Sequence, residues 1–251
     1  MARVDSLFKM QSITYSIQDI KERLYNAQTV TVLTGAGISA ESGVPTFRGK
    51  DGLWKNFRAE DLATPDAFKK NPKLVWEWYN SRRQTLAKLQ ANPGHIAIAE
   101  IEKRVKKFTL ITQNVDGLHQ LAGNKNVIEL HGNIWHVKCT ACNKVSLNKD
   151  VPIKILPFCE CGGLLRPNVV WFGEMLSDNT LKRAFSASDN CDIMFVIGTS
   201  GIVHPAASIA LRAKDEGTFI VEINLENTPL SVSADATLLG KAGDILPQLL
   251  L

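Results

Sequence analysis

The apolar run Val30-Thr-Val-Leu33 passes straight into Thr34-Gly-Ala-Gly-Ile-Ser-Ala-Glu-Ser-Gly43. No other junction constrains the fold of this chain as much. A short strand that breaks into glycines two apart, then starts a helix, is how a parallel sheet brings backbone N–H groups to a pyrophosphate. Gly35 and Gly37 fill the first two positions of a Gly-x-Gly-x-x-Gly pattern, and Ala40 stands at the third. The residues that follow are more specific. Ser39, Glu41, Ser42, Thr46 and Arg48 put polar groups and a cation beside the phosphate loop, and Phe47 adds an aromatic face. An ordinary dehydrogenase places an acidic residue about 20 positions further on to hold a ribose. Here the chain instead enters a stretch punctuated by Pro65, Pro72 and Pro93, which argues against that class.

Periodicity supplies the rest of the architecture. Ile13, Ile17, Ile20 and Leu24 pattern a helix before the first strand. Strands are expected at Phe108–Thr112, Val127–Leu130, Val169–Phe172, Asp192–Gly198 and Thr218–Asn224, with a helix from about Pro205 to Glu216. Short apolar strands alternating with helices give a mostly parallel sheet covered on both faces. Ligands in such α/β sheets bind at the carboxyl ends of strands. Gly35-Ala36-Gly37, Gly198-Thr199-Ser200 and Asn224 all stand at strand ends and so point to one crevice. Asn224 and Glu226 can hydrogen-bond the ribose hydroxyls of an adenosine.

Five cysteines carry a second signal. Four fall between Cys139 and Cys161, and Cys191 stands alone before a buried strand. Tight local clustering reads as a metal site in a reducing compartment, not a disulfide framework. Cys139-x-x-Cys142 and Cys159-x-Cys161 form the two halves of a zinc ribbon, the second one residue tighter than usual. Four thiolates leave no open coordination position, so the zinc (Zn2+) is expected to be structural.

The net charge of +4 is mild and its basic residues are dispersed, which reads as solubility and argues against a dedicated nucleic-acid binder. No apolar run reaches the roughly 20 residues of a membrane span, and the N-terminus has no secretory h-region. A cytoplasmic protein is expected, with no membrane partner. A non-catalytic zinc-ribbon nucleic-acid binder remains a rival that the next residues weigh against.

Those residues are Thr112-Gln-Asn-Val-Asp-Gly-Leu-His119 and Glu129-Leu-His-Gly132. Asn-x-Asp-Gly is good turn chemistry by itself. A histidine has an unperturbed pKa suited to proton removal near neutrality. Taken in order, the glycine loop, the Gln113-Asn114-Asp116 trio and His131 resemble the sirtuins, the NAD-dependent protein-lysine deacylases, over nearly the whole chain.

The resemblance implies a Rossmann-like NAD-binding domain (1–38, 90–133 and 165–251) carrying a smaller domain made of a helical module (39–89) and a zinc ribbon (134–164). It implies NAD as co-substrate, held by Gly35, Ala36, Gly37, Ser39, Glu41, Phe47, Arg48, Trp54, Gln113, Asn114, Val115, Asp116, Gly198, Thr199, Ser200, Asn224, Leu225, Glu226 and Ala242. Asn114 and Asp116 would hold the nicotinamide end, and His131 would be the general base. The acyl oxygen of an acyl-lysine would attack the ribose as nicotinamide leaves, giving free lysine and an O-acyl-ADP-ribose. Acylated proteins or peptides would be the partners of a monomeric enzyme. Val170, Phe172, Gly173 and Glu174, with Ile202 and Val203, would pair with the substrate backbone. Tyr79 and Arg82, three apart on a helix and so on one face, match a pair in the sirtuin subgroup that removes succinyl and malonyl groups. Ala59 is similar to that subgroup's small pocket residue. A protein ADP-ribosyltransferase using the same NAD site is the alternative.

Overall fold

The computed structural model describes residues 15–46 and 59–250, without the side chains of Ala59 and Glu60. Six parallel strands form the main sheet: β1 (Thr29–Thr34), β2 (Lys107–Thr112), β3 (Val127–Glu129), β7 (Ile193–Ile197), β8 (Phe219–Asn224) and β9 (Ala236–Leu239). Their spatial order is β3-β2-β1-β7-β8-β9. The order reverses between β1 and β7, paired in parallel from Val30↔Ile193 to Thr34↔Ile197. In a doubly wound sheet that reversal opens the ligand crevice.

Alternation along each strand divides the core into two layers. Val30 and Val32 face one way and pack with Leu110, Phe195 and Val221. That layer is closed by α1 (Ile17–Asn26) and α6 (Pro93–Arg104), through Ile20, Leu24, Ile98 and Ile101. Leu33 faces the other way with Ile111, Met194 and Val196, under α8 (Asp178–Ser188) and α9 (Ala206–Asp215). Capping follows from sequence. Ser16 and Asp19 form a capping box on α1. Asn92 caps α6 ahead of Pro93, and its amide also donates to the Ile38 carbonyl at 2.6 Å. One residue thus starts α6 and ties down α2 (Ala36–Ala40), the short helix after the glycines.

A second, antiparallel sheet has the order β5-β4-β6, from β4 (Gly132–Cys139), β5 (Val145–Leu147) and β6 (Leu165–Val169). It shares a core with α4 (Pro65–Lys70) and α5 (Pro72–Leu86), built on Phe68, Val75, Trp76, Trp78, Tyr79 and Trp171. Buried Arg83 on α5 donates to the carbonyls of Ile134 and Asp150, fastening the helix to this sheet and its loop. The strand expected at Val169–Phe172 is shifted. β6 ends at Val169, and residues 170–172 run on as irregular chain. The Trp171 N–H turns instead to the carboxylate of Glu174, at 2.8 Å. Strands β4, β5 and β9 were not legible, because Gly132, Asn133 and Lys138 dilute the first and the other two are short. Among the described residues no helix is long and apolar enough to cross a membrane.

Candidate active site and metal centre

The crevice floor is glycine packed on glycine. The Gly37 N–H donates to the Gly198 carbonyl at 2.8 Å, and the Gly35 N–H donates to Ile197 at 3.0 Å. A Cβ on Gly37 would sit 2.7 Å from the Gly198 Cα, and one on Gly35 would lie 2.8 Å from the Thr199 Cβ. Gly198 itself has φ +59°, in the left-handed region. Sequence reasoning assigned these glycines to close approach of a diphosphate. Their steric requirement comes first from the contact between the β1 and β7 loops.

Three strand ends meet there. Gln113 donates its side-chain amide to the Thr199 hydroxyl at 2.9 Å, and Asn224 donates to the Thr199 carbonyl at 2.8 Å. Ser200, Leu225 and Glu226 lie exposed beyond those ends. Glu41 leaves the glycine segment and accepts the Gly243 N–H at 3.0 Å, at the start of α10 (Ala242–Ile245). The carboxylate that sequence placed on the cofactor is thus engaged by a helix end, with Ala242 adjacent. Phe47, Arg48, Trp54 and the Ala59 side chain lie outside the described residues.

A buried polar cluster forms the inner wall. The Ser39 hydroxyl donates to Asp116 at 2.8 Å, and Asn114 donates to Ser39 at 3.1 Å and to the Gly35 carbonyl at 2.9 Å. Burial raises the Asp116 pKa, opposed by hydrogen bonds from the Leu118 N–H and Ser39 and by the charge of Arg82. Val115 is buried beside it, and its carbonyl accepts the Ile134 N–H. Behind the wall, His95 and His119 are buried ring to ring, with centroids 4.7 Å apart. Burial lowers the His95 pKa to about 4 and drives that of His119 well below its ordinary value, helped by the charge of His95. Both stay neutral near pH 7, in keeping with core roles.

His131 lies between β3 and β4, after Leu130. Its Nδ1 lies 2.9 Å from the Gln113 carbonyl oxygen, which can only accept, so Nδ1 carries the proton and Nε2 keeps its lone pair. Burial lowers its pKa from 6.5, against the raising effect of that hydrogen bond. The arrangement is a neutral, oriented base.

Residue 170 continues from the same place, its N–H donating to the His131 carbonyl at 2.9 Å. Phe172 and Ile202 are exposed, with Gly173 and Val203 next to them in sequence, and the Phe172 N–H donates to the Ala63 carbonyl at 2.9 Å. Glu174 has its side chain engaged within the chain. Its carboxylate takes two hydrogen bonds from Arg166, one at 2.8 Å, as well as the Trp171 N–H. It braces the segment from within. On α5, Tyr79 is buried and Arg82 half-buried, with the Arg82 guanidinium 4.9 Å from the centre of the Trp78 ring. Burial raises the Tyr79 pKa, and Arg82 lies close enough to feel the charges of Tyr79 and Asp116. Sequence reasoning passed over Trp171, whose indole N–H meets the Tyr79 hydroxyl at 2.8 Å. The two are 92 positions apart, and no local pattern announces such a pair.

The four clustered cysteines converge, their sulfurs all within 4.8 Å of one another. Cys139 and Cys161 are 3.5 Å apart, and Cys142 and Cys159 are 3.8 Å apart. Zn–S bonds of about 2.3 Å put tetrahedral corners about 3.8 Å apart, so the set fits a structural zinc. The N–H groups of Cys142 and Ala141 lower the Cys139 pKa, whereas the thiols around Cys161 raise its own. Gly163, just after the tight Cys159-x-Cys161 half, has a steric requirement of its own. A Cβ on Gly163 would lie 2.7 Å from the Cys139 sulfur, so only glycine lets the loop close there.

A profile of the Sir2 family matches residues 35–205. The NAD-dependent protein deacylase 1 of Caldanaerobacter subterraneus subsp. tengcongensis is 55% identical over 217 residues, 86% of this chain and 90% of its own length. A mutant Sir2 homologue in complex with ADP-ribose superimposes with a TM-score of 0.89 at 48% identity, covering 92% of this chain and 94% of the other. A Sir2 homologue in complex with NAD gives 0.87 at 47% identity, covering 94% and 93%.

Proposed function

The chain belongs to the Sir2 family, and on that premise we propose that it is an NAD-dependent protein-lysine deacylase acting on acetyl groups and on acidic acyl groups such as succinyl and malonyl. The observation that carries the deacylase reading is the tautomer of His131. Its Nδ1 is held by the Gln113 carbonyl at 2.9 Å, which leaves Nε2 free to take a proton from a ribose hydroxyl of the NAD substrate. The wall of Ser39, Asn114 and Asp116 fits the N–H groups of a carboxamide, because Asp116 and the Asn114 side-chain oxygen offer acceptors while both Asn114 N–H groups are held by Ser39 and the Gly35 carbonyl. NAD supplies the electrophilic carbon; the chain's residues bind it, orient it and move the proton.

Support for acidic acyl groups is the pairing of Tyr79 and Arg82 on one face of α5, with Arg82 within electrostatic reach of Asp116. A guanidinium binds a carboxylate with two hydrogen bonds, and a phenol can add a third. Turnover of one peptide carrying acetyl-lysine or succinyl-lysine, with NAD present, tests the reading. Mass spectrometry should show loss of the acyl group from both peptides and appearance of an O-acyl-ADP-ribose. A gain of ADP-ribose by the peptide would favour a transferase. Removal of acetyl alone would withdraw the acidic-acyl part.

A further inference from the structure

The polarity of one buried hydrogen bond fixes where a proton points. The Trp171 indole N–H can only donate, so at 2.8 Å the Tyr79 hydroxyl must accept. The phenol has one proton, and it is therefore turned away from Trp171. Arg82, one turn along α5, has no acceptor atom to receive it. Among the described residues, the Trp171 contact is the one hydrogen bond of the Tyr79 hydroxyl. An acceptor-only group drawn to the Arg82 charge, such as a carboxylate, would receive the Tyr79 proton.

Trp171 is itself held from several sides. The Arg166 guanidinium lies 3.5 Å from the centre of its ring, and Phe68 packs against it with centroids 5.3 Å apart. Glu174 accepts its backbone N–H while ion-paired to Arg166. Burial leaves the Trp171 side chain 3% exposed and Tyr79 1% exposed, so water does not compete for the bond. Trp171 also belongs to the 170–174 segment expected to pair with the substrate backbone. One side chain thus joins the peptide edge to the acyl end of the site.

We propose that Trp171 is a positioning residue for acyl specificity: its N–H occupies the Tyr79 lone pair and so commits the Tyr79 proton to the carboxylate of an acidic acyl group. This rests on the acidic-acyl reading above. The experiment is a double-mutant cycle of Trp171→Phe and Tyr79→Phe, reading the ratio of succinyl-lysine to acetyl-lysine kcat/KM, with Arg82→Met as a separate arm. Trp171→Phe should lower the ratio about 2- to 10-fold, the worth of one neutral hydrogen bond. Deacetylation by the same sample reports on folding. In the Tyr79→Phe background the second change should lower the ratio no further, because no hydroxyl remains to orient.

Where Trp171→Phe fails to fold, 3-benzothienylalanine at position 171 keeps the bicyclic ring with sulfur in place of the N–H, and should give the same fall. An unchanged ratio in the Trp171 variants beside a lowered ratio in Tyr79→Phe and Arg82→Met would overturn the proposal and spare the acidic-acyl reading. An equal fall with and without the Tyr79 hydroxyl would also overturn it, making Trp171 a packing residue. Ratios unmoved in all three variants would overturn both.

Discussion

The Nδ1 of His131 sits 2.9 Å from the main-chain oxygen of Gln113, which ties the base to the end of β2. The carbonyl selects the tautomer, and burial keeps the ring neutral. His131→Ala should lower deacylation about 10²- to 10⁴-fold while NAD binding, followed calorimetrically, is retained. Because burial depresses the His131 pKa, the acid limb of kcat/KM in the wild type should have its midpoint below 6.5. A midpoint above that value would mean another group is the base.

Arg82→Met keeps much of the stem and removes the charge. A charge-assisted contact is worth about 1.5–3 kcal/mol, so succinyl-lysine efficiency should fall about 10- to 100-fold and acetyl-lysine efficiency far less. Equal losses on both substrates would make Arg82 a structural cation.

Zinc should be structural. Cys139→Ala, or a strong chelator, should release the metal and lower the melting temperature, because β4 and the 159–163 loop are held together through the sulfurs. Metal analysis alongside thermal denaturation checks it. A zinc-free sample with an unchanged melting curve would contradict a structural role.

Gly37→Ala should be costly although only a methyl group is added. The new Cβ would meet the Gly198 backbone at 2.7 Å, and neither loop has a flexible side chain to yield. A loss of about 1–3 kcal/mol is expected in urea denaturation, together with weaker NAD binding. Stability like that of the wild type would show that the loops can separate freely.

His95 and His119 should make stability depend on pH. Their native pKa values are depressed, so below pH 6.5 the unfolded chain takes up protons that the folded chain refuses. Stability is full above about 6.5 and drains away as pH falls toward the native value, about 4 for His95. For His95 alone that amounts to about 3 kcal/mol. Asp116 and Glu129, whose pKa values are raised by burial, act in the opposite sense. Comparing urea midpoints of wild type and His95→Gln from pH 7.5 to 4.5 isolates the histidine. Parallel curves would refute its contribution.

The main sheet was legible wherever strands were wholly buried, since Val30–Leu33 and Asp192–Gly198 read as unbroken apolar runs. Polar trios at strand ends were legible for the same reason: Gln113, Asn114 and Asp116 interrupt such a run. What stayed hidden depends on contacts far apart in sequence. Nothing near Glu41 announces that Gly243 will claim its carboxylate, nor near Glu174 that Arg166 will. The end of β6 was misplaced because Val169 to Phe172 has strand composition, while the Trp171 N–H is taken by a side chain three residues on.

The Gly37–Gly198 contact has a kinetic consequence. The signature most readable in the sequence is only half of a structure whose other half is synthesised some 160 residues later. Until β7 zips onto β1, the early loop has no surface to be shaped against, and closing so distant a pair is slow. During refolding, competence for NAD should therefore emerge with the last consolidation of the sheet, well after helical signal has returned, and a nascent chain that already displays the glycines would still be unable to hold the dinucleotide.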